Sequence, residues 1–256
     1  MKQGDLGLYD QSFMDSHAPK VRRIFQKWFR VSIEGLHLLP SGPFLGVGNH
    51  SGSVMIPDTI AWLAEYNAVK RNNPLLTLTH PAVFTAYPGI LSRYMARLGA
   101  IKADSRLALR ALREGYSVQV YPGGDNDACR SFRQRNNIVF AGRKAYVKLA
   151  RIAQVPIVPI VSIGGHETLL VLWDGVPLAR FLRLDRRFGL HAFPVSLCIP
   201  WGIWLGPPPG YLPFPAKISL KVLPPIQPEG CVDDVDLQVR NSMQQALNVM
   251  AAARNR

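Results

Sequence analysis

The stretch Pro43-Phe44-Leu45-Gly46-Val47-Gly48-Asn49-His50-Ser51-Gly52 decides how this chain is interpreted. Its first half is short, apolar and uncharged, which is typical of a buried strand. Gly48 and Gly52 bracket a sharp turn, and the apolar residues after position 60 predict a helix. A strand, a turn and a helix in this order present the imidazole of His50 at the carboxyl end of a strand, where open α/β sheets bind ligands.

A carboxylate follows this histidine closely along the chain. Asp58 comes directly after Pro57, and seven residues separate it from His50. A histidine with a carboxylate partner is the pair needed to take a proton from a hydroxyl near neutral pH. Because Asp58 also stands at the start of the predicted helix, the same residue is equally typical of a helix N-cap, and both roles remain open.

The rest of the chain continues the alternation of strand and helix patterns. Strands are predicted over 44–47, 75–79, 118–121, 157–161 and 218–222. Helices are predicted over 58–69, 91–98, 105–113, 140–152 and 235–252. Repeated βαβ units predict an α/β fold with a largely parallel central sheet flanked by helices.

Glycine-bearing turns follow three of the predicted strands. The first contains His50, the second runs Tyr121-Pro122-Gly123-Gly124-Asp125, and the third runs Ser162-Ile163-Gly164-Gly165-His166-Glu167. In a parallel sheet all three turns lie at one edge. Glycines there let the backbone approach a ligand and direct amide N–H groups at it. The three turns together predict an active site at this edge.

The composition predicts a folded protein with an anionic partner. The chain has 256 residues, of which 48% are hydrophobic, and a net charge of +13. Such a charge suits nucleic acid, a phosphorylated cofactor or an acidic membrane face. Three cysteines without metal-type spacing fit a reducing compartment, and the first residues lack the apolar core of a signal peptide. We therefore expect a cytoplasmic protein with no bound metal.

Two segments predict contact with a membrane surface. Residues 21–30 have apolar side chains at helical spacing and four basic residues mainly off that stripe, which predicts a basic amphipathic helix starting at Ser16 or Pro19. Residues 192–216 carry no charge but seven prolines, so they are predicted to be an apolar loop rather than a spanning helix. Each segment is equally compatible with packing on the domain itself.

The order of these motifs resembles that of a known family. The block Asn49-His50-Ser51-Gly52 with Asp58, then Tyr121-Pro122-Gly123-Gly124, then Val155-Pro156-Ile157-Val158-Pro159, is similar to successive blocks of the lysophosphatidate-acyltransferase-like glycerolipid acyltransferases. Their signature is a histidine followed by an aspartate. The chain most resembles a bacterial branch with His-Ser-Gly in the family's first block and Pro-Gly-Gly in the block that the family counts as its third.

The resemblance implies an enzyme of phospholipid or related lipid synthesis with this family's fold. His50 would be the general base on an acceptor hydroxyl, and Asp58 would orient its imidazole. The hydroxyl would attack the thioester of an acyl-CoA or acyl-carrier protein, without a metal or other cofactor. The implied substrate-binding residues are Asn49, Ser51, Gly52, Tyr121, Pro122, Gly123, Gly124, Asp125, Arg130, Gly164 and His166.

The resemblance also implies a domain organisation and a location. We expect a single acyltransferase domain over 1–256, with an N-terminal amphipathic segment at 1–40, a catalytic core at 41–230 and a C-terminal helix at 231–256. The expected partners are the acyl thioester donor, with acyl carrier protein as one alternative carrier, a lipid acceptor and an anionic membrane surface, but no nucleic acid. The expected location is the inner face of the membrane, as a peripheral protein.

Two departures from the family pattern bear on these roles. Many members have four residues between the histidine and the aspartate, whereas this chain has seven. Many members also have a glutamate where Gly123 stands and an arginine where Asn126 stands. Arg130 is then the candidate for phosphate recognition. The alternative acceptor is a neutral glycerolipid or a glycolipid instead of lysophosphatidate.

Other functions are weighed against this one. A serine hydrolase would need glycines two residues before and two after Ser51, where Asn49 and Ser53 stand instead. A nucleic-acid-binding module would need basic residues interleaved with exposed aromatic side chains. A lipid-binding protein of the same fold that does not catalyse transfer remains an alternative, because a binding protein can retain His50.

Overall fold

A computed structural model describes residues 5–53, 55–69, 73–81, 83–84 and 89–254. The predictions for residues 1–4 and 255–256, and for Val54 between His50 and Asp58, lie outside the described residues. No helix in the described part of the chain is long and apolar enough to cross a membrane.

The described strands form a large and a small sheet. Their bounds are β1 Ser32–Glu34, β2 Leu45–Gly48, β3 Leu75–Thr79, β4 Ala100–Lys102, β5 Ser117–Val120, β6 Ile157–Ile163, β7 Leu170–Trp173, β8 Val195–Cys198, β9 Gly202–Leu205 and β10 Ser219–Val222. The large sheet has the order β1-β10-β6-β2-β5-β3-β4, and the small sheet has the order β7-β8-β9. In the large sheet β6, β2, β5, β3 and β4 are mutually parallel, so the predicted α/β fold with a largely parallel sheet is confirmed.

The helices cover both faces of the large sheet. Their bounds are α1 Gln11–Phe29, α2 Pro57–Val69, α3 Ile90–Arg97, α4 Ser105–Arg113, α5 Asp125–Ala128, α6 Ala145–Ala153, α7 Val176–Phe181, α8 Leu184–Phe188 and α9 Val232–Arg254. One hydrophobic core lies between the sheet and α4, α6 and α9. The other lies between the sheet and α1 and α2. Successive residues of β6 alternate between these cores, as the two-residue period of a strand requires.

The central strand β2 is buried on both faces, as its apolar composition predicted. Leu45 and Val47 are fully buried in the first core, and the preceding Phe44 is fully buried in the second. β2 lies between β6 and β5, with Leu45 in register with Ile157 and Val118. The chain that leads to His50 is therefore fixed between two neighbouring strands.

Three predicted elements need correction. The first helix begins at Gln11, well before Ser16, because the Asp10 side chain accepts a hydrogen bond from the Phe13 amide at 2.9 Å and caps it. The helix predicted over 140–152 begins only at Ala145, since Ala141 and Gly142 have positive φ angles of 51° and 73°. The strand predicted over 218–222 runs antiparallel to β6.

The predicted apolar loop at 192–216 also needs correction. Two strands, β8 and β9, form a hairpin inside it, and β8 pairs with β7. The seven prolines do not prevent this, because none of them lies within the two strands, where an amide would be lost to the sheet. The uncharged segment 192–216 therefore contributes two strands to a small antiparallel sheet.

Replacing Leu45 tests the central role of β2. Leu45→Ala leaves a cavity between the helices and the sheet and should lower the free energy of unfolding by about 2–5 kcal/mol. Val249→Ala is the control, because Val249 is 60% exposed on α9 and should change stability by less than about 0.5 kcal/mol. Chemical denaturation followed by circular dichroism measures both, and equal effects would contradict the assignment of β2 as the core strand.

Candidate active site

The three glycine-bearing turns meet at one edge of the large sheet. They follow β2, β5 and β6, which are adjacent and parallel. The turn after β2 contains His50, the turn after β5 contains Tyr121 to Asp125, and the turn after β6 contains Gly164 to His166. The predicted grouping of these turns is therefore confirmed.

His50 and Asp58 lie side by side. Nδ1 of His50 is 3.8 Å from Oδ1 of Asp58, a distance for an ion pair but too long for a hydrogen bond. The Asp58 side chain is 1% exposed, and the His50 side chain is 14% exposed. The seven intervening residues thus allow the carboxylate to reach the imidazole. A small shift would close a hydrogen bond from the Nδ1–H group of His50 to the carboxylate.

Asp58 is oriented by two other donors. Its Oδ2 accepts a hydrogen bond from the Ser51 hydroxyl at 2.9 Å, and its Oδ1 accepts one from the Thr59 amide at 2.8 Å. Asp58 also lies in the first turn of α2, where the helix dipole favours a negative charge. The two roles left open by the sequence are therefore compatible, because Asp58 sits at a helix start and also faces His50.

Tyr121 forms one wall of the histidine site. Its ring stacks on the His50 imidazole with centroids 4.4 Å apart and an interplanar angle of 24°. Burial, and secondly the charge of Asp58, raise the pKa of the Tyr121 phenol well above its ordinary value. The phenol therefore remains protonated at neutral pH and can act only as a neutral group beside the imidazole.

Asp127 is a site residue that the sequence did not single out. Its carboxylate is completely buried and accepts hydrogen bonds from the His50 backbone amide and from the Arg130 guanidinium. It joins the turn after β2 to the turn after β5. In the sequence, only the position of Asp127 shortly after Pro-Gly-Gly indicates a role in the site. The sequence does not show that its carboxylate is buried, because its partners lie elsewhere in the fold.

Arg130 and Asn49 were predicted to bind substrate, and both predictions need correction. Arg130 is 2% exposed and is paired with Asp127, and burial lowers its pKa to about 10, so it stays charged but is enclosed. Asn49 is 1% exposed and exchanges two hydrogen bonds of 2.8 Å with the backbone of Ser162. Asn49 thus links the end of β2 to β6, whereas Arg130 is held within the loop after β5 by Asp127 and by the Arg135 carbonyl.

Ser51 and Asp125 likewise have internal partners. The Ser51 side chain is buried and donates to Asp58, as described above. The Asp125 carboxylate accepts from the backbone amides of His191 and Ala192, so it anchors the segment that leads into β8. Both residues were predicted to contact substrate, and in the structure each of them also positions another segment.

Gly52 and Gly123 are required for steric reasons. Gly52 has a φ of +79°, and a Cβ atom there would lie 2.5 Å from Cδ of Pro57. A Cβ atom on Gly123 would lie 2.0 Å from the Val139 carbonyl oxygen. No glutamate could occupy position 123 in this backbone, which explains the departure from the family pattern there.

The amides of the Pro-Gly-Gly turn differ in availability. The Gly124 amide donates to the Tyr121 carbonyl at 3.0 Å, so it is not free to bind an oxyanion. The carbonyls of Pro122 and Gly123 both accept from the Arg143 guanidinium at 3.1 Å. Arg143 thus fixes this turn and brings a partly exposed cation to it.

A small cleft lies beside the histidine turn. Gly164 and His166, which were predicted to bind substrate, line it, and the remaining lining residues include Ser51, Arg135, Asn136, Ser162 and Glu167. His166 is 5% exposed, and neither of its ring nitrogens has a hydrogen-bond partner. Burial, and secondly the charges of Arg130 and His50, lower the pKa of His166 well below its ordinary value, so its ring is neutral at physiological pH.

Among the described residues, no group of three or more histidine, cysteine, aspartate or glutamate side chains is arranged to hold a metal ion. The polar groups that converge near His50 are Asp58, Tyr121 and Asp127. This arrangement can move a proton at the imidazole and can orient that ring from two sides.

The chain is similar to known proteins in sequence and in fold. The family described as Acyltransferase matches residues 30–163. An uncharacterized protein of Mycobacterium leprae is 30% identical over 247 residues, which cover 92% of this chain and 64% of that protein. An enzyme of Gallus gallus named "DGAT1/2-independent enzyme synthesizing storage lipids" is 26% identical over 198 residues, which cover 77% of this chain and 56% of that enzyme. The chain therefore spans less than two thirds of the length of these curated relatives.

A solved structure shares the fold. The crystal structure of the 1-acyl-sn-glycerophosphate (LPA) acyltransferase PlsC from Thermotoga maritima superposes with a TM-score of 0.56 and 19% identity. The match covers 93% of this chain and 79% of that chain. The structural similarity therefore extends beyond residues 30–163, both before and after them in the chain.

His166 predicts how stability depends on pH. Its pKa is lower in the folded state than in the unfolded chain, so the unfolded state binds an extra proton below about pH 6.5. The stabilisation is complete above that pH and is lost as the pH falls. As the pH falls, the free energy of unfolding should decrease more steeply in the native protein than in His166→Gln. The difference between the two slopes should be up to about 1.4 kcal/mol per pH unit. Urea titrations between pH 7.5 and 5.5 measure this difference, and parallel curves would contradict it.

Proposed function

The chain belongs to the acyltransferase family, and from this premise we propose that it moves a fatty acyl group from an acyl thioester to a hydroxyl of a glycerolipid or related lipid. The single observation that carries the proposal is the His50–Asp58 pair, 3.8 Å apart at the carboxyl edge of the sheet. The proposed donor is acyl-CoA or acyl-carrier protein.

The proposed reaction needs one general base. Nε2 of His50 takes the proton of the acceptor hydroxyl while that oxygen attacks the thioester carbonyl carbon. Asp58 stabilises the imidazolium through Nδ1. The tetrahedral intermediate collapses, the carbon–sulfur bond breaks, and the thiolate takes the proton back from Nε2. The products are an ester and a free thiol.

The developing oxyanion needs a donor close to His50. The backbone amide of Gly123 is the proposed donor, because the neighbouring Gly124 amide is already bonded within the turn. Such preorganised amides stabilise the charge that forms on a carbonyl oxygen. Arg143 supports this role by fixing the carbonyls of the same turn.

A neutral acceptor is a second candidate beside lysophosphatidate. Arg130, the cation proposed from the sequence to bind phosphate, is enclosed in a pair with Asp127. The relative from Gallus gallus carries a name that refers to the synthesis of storage lipids. Both observations support a mono- or diacylglycerol as the acceptor, and parallel assays with lysophosphatidate and with these neutral lipids, read by mass spectrometry, distinguish the two.

We also propose that the protein works at the inner face of the cytoplasmic membrane. Helix α1 exposes Arg23, Lys27 and Arg30 together with Ile24, which is 62% exposed. Its Phe25 and Phe29 side chains face the core, so the helix is docked on the domain while its outer side remains available. An anionic leaflet would attract these cations.

Replacing His50 tests the general base. His50→Ala should lower transfer of a radiolabelled acyl chain to lipid acceptors by about 10²–10⁴-fold, because proton removal is then left to water. His37→Ala, an exposed histidine outside the site, is the matched control and should retain full transfer. Circular dichroism checks that both variants fold, and undiminished transfer by His50→Ala would overturn the proposal.

Replacing Asp58 tests the orientation of the imidazole. Asp58→Asn keeps the size of the side chain but cannot stabilise a protonated imidazole, so kcat should fall by about 10²-fold or more with little change in KM. Ser51→Ala removes one of the hydrogen bonds to Asp58 and should reduce kcat less. If Asp58→Asn changed KM alone, Asp58 would have a substrate-binding role instead.

A further inference from the structure

The small sheet β7-β8-β9 has an apolar outer face. Leu197 of β8 is in register with Leu170 of β7 and with Ile203 of β9, and Val195 is in register with Leu205. Side chains in register project from the same face of a sheet. Ile203 and Leu205 are 71% and 54% exposed, so this row is directed away from the protein.

The inner face of the same sheet is already occupied. Val171 and Cys198 pack there with Leu169 and Tyr211 in a buried cluster, and Trp204 packs against it. An antiparallel sheet with one solvated face is normally polar on that face. This sheet is apolar on both faces and covered by the described residues on only one, a pattern typical of an interaction surface.

The end of the hairpin extends this apolar surface. Ile199 and Trp201 lie between β8 and β9 and are 45% and 47% exposed. The Trp201 indole N–H donates to the backbone carbonyls of Pro209 and Gly210 at 3.2 and 2.9 Å, which holds the ring in place at the surface. Tryptophan is typical of membrane–water interfaces because its ring is apolar and its N–H is polar.

Cations lie in the connection between β7 and β8. Helices α7 and α8 form this connection, and the exposed arginines there are Arg180, Arg183, Arg186 and Arg187. Exposed apolar side chains adjoin them in the sequence, with Phe181 82% and Phe188 56% exposed. Apolar groups accompanied by cations are the combination that binds an anionic lipid surface.

We propose that this surface is a membrane-docking face that inserts into an anionic lipid bilayer. The docking face consists of the outer side chains of Leu197, Ile199, Trp201, Ile203 and Leu205, and the exposed arginines of the connection between β7 and β8 supply the cations that precede it in the chain. The charge argues for an anionic lipid surface over a second copy of this chain, because the chain has a net charge of +13 and two copies repel one another.

The docking face is connected to the candidate active site. The Tyr211 hydroxyl, on the inner side of the small sheet, donates to the Gly52 carbonyl in the histidine turn at 2.6 Å. The Trp28 indole of α1 donates to the Pro213 carbonyl at 3.0 Å, so the first helix adjoins the same segment. The inference deepens the proposed function, since it names the surface that would bring lipid acceptors to His50, but binding itself does not require His50.

The test compares vesicle binding by two double variants. The vesicles contain either phosphatidylglycerol with phosphatidylcholine or phosphatidylcholine alone, and co-sedimentation at low salt gives the affinity. Ile203→Ser with Leu205→Ser should weaken binding to the anionic vesicles by about tenfold or more, because two large apolar side chains no longer enter the bilayer. The control is the double variant Ile152→Ser with Val249→Ser. These two apolar residues lie on α6 and α9 and are 58% and 60% exposed, and the control variant should bind like the native protein.

Further measurements separate this inference from the proposed catalysis. The His50→Ala protein should bind the vesicles normally, and the Ile203/Leu205 variant should still transfer acyl groups to acceptors dispersed in detergent. Equal vesicle binding by the native protein and the Ile203/Leu205 variant would overturn the docking face. So would a native dimer in light scattering that this variant converts to a monomer, because the face would then be an interface between two copies.

Discussion

The buried carboxylate of Asp127 is the group on which the arrangement of the site depends. It accepts from the His50 amide on one side and from the Arg130 guanidinium on the other, and neither side chain of the Asp127–Arg130 pair is more than 2% exposed. A buried charge is tolerable only when it is paired and hydrogen-bonded, so its partners must stay in place. The backbone position of His50 is therefore fixed by a charge that lies in a different turn.

This constraint explains why the imidazole can be oriented without a tight hydrogen bond to Asp58. The backbone of His50 is held by Asp127, one ring face is covered by Tyr121, and Asp58 is held by Ser51. Each contact comes from a different segment. The first fixes the backbone of His50, the second restricts its ring and the third fixes the carboxylate that faces the ring. The ring is positioned by its surroundings, while its Nδ1 remains buried without a hydrogen-bond partner.

The sequence predicted the parts of this structure that depend on local patterns. The run before His50 and the βαβ alternation depend on side-chain periodicity within a few residues, and both correspond to the observed elements. The direction of β10, the small sheet and the burial of Arg130 depend on which distant segments pair with them, and periodicity carries no such information. For the same reason Asp127 was overlooked, and Asn49 and Arg130 were interpreted as substrate ligands when their partners lie inside the protein.

The longer spacing between His50 and Asp58 has an energetic consequence that connects the two sheets. Among the described residues of this loop, Ser53 and Ile56 have φ angles of 49° and 39°, each of which costs about 1–3 kcal/mol. Such a loop persists only when neighbouring groups hold it. The Ala128 carbonyl accepts from the Ser53 amide at 3.1 Å, and the Tyr211 hydroxyl donates to Gly52. Because Tyr211 belongs to the buried cluster beneath the small sheet, displacement of that sheet would relax the loop that brings Asp58 to His50. The small sheet is therefore a structural support of the candidate active site, whatever its outer face contacts.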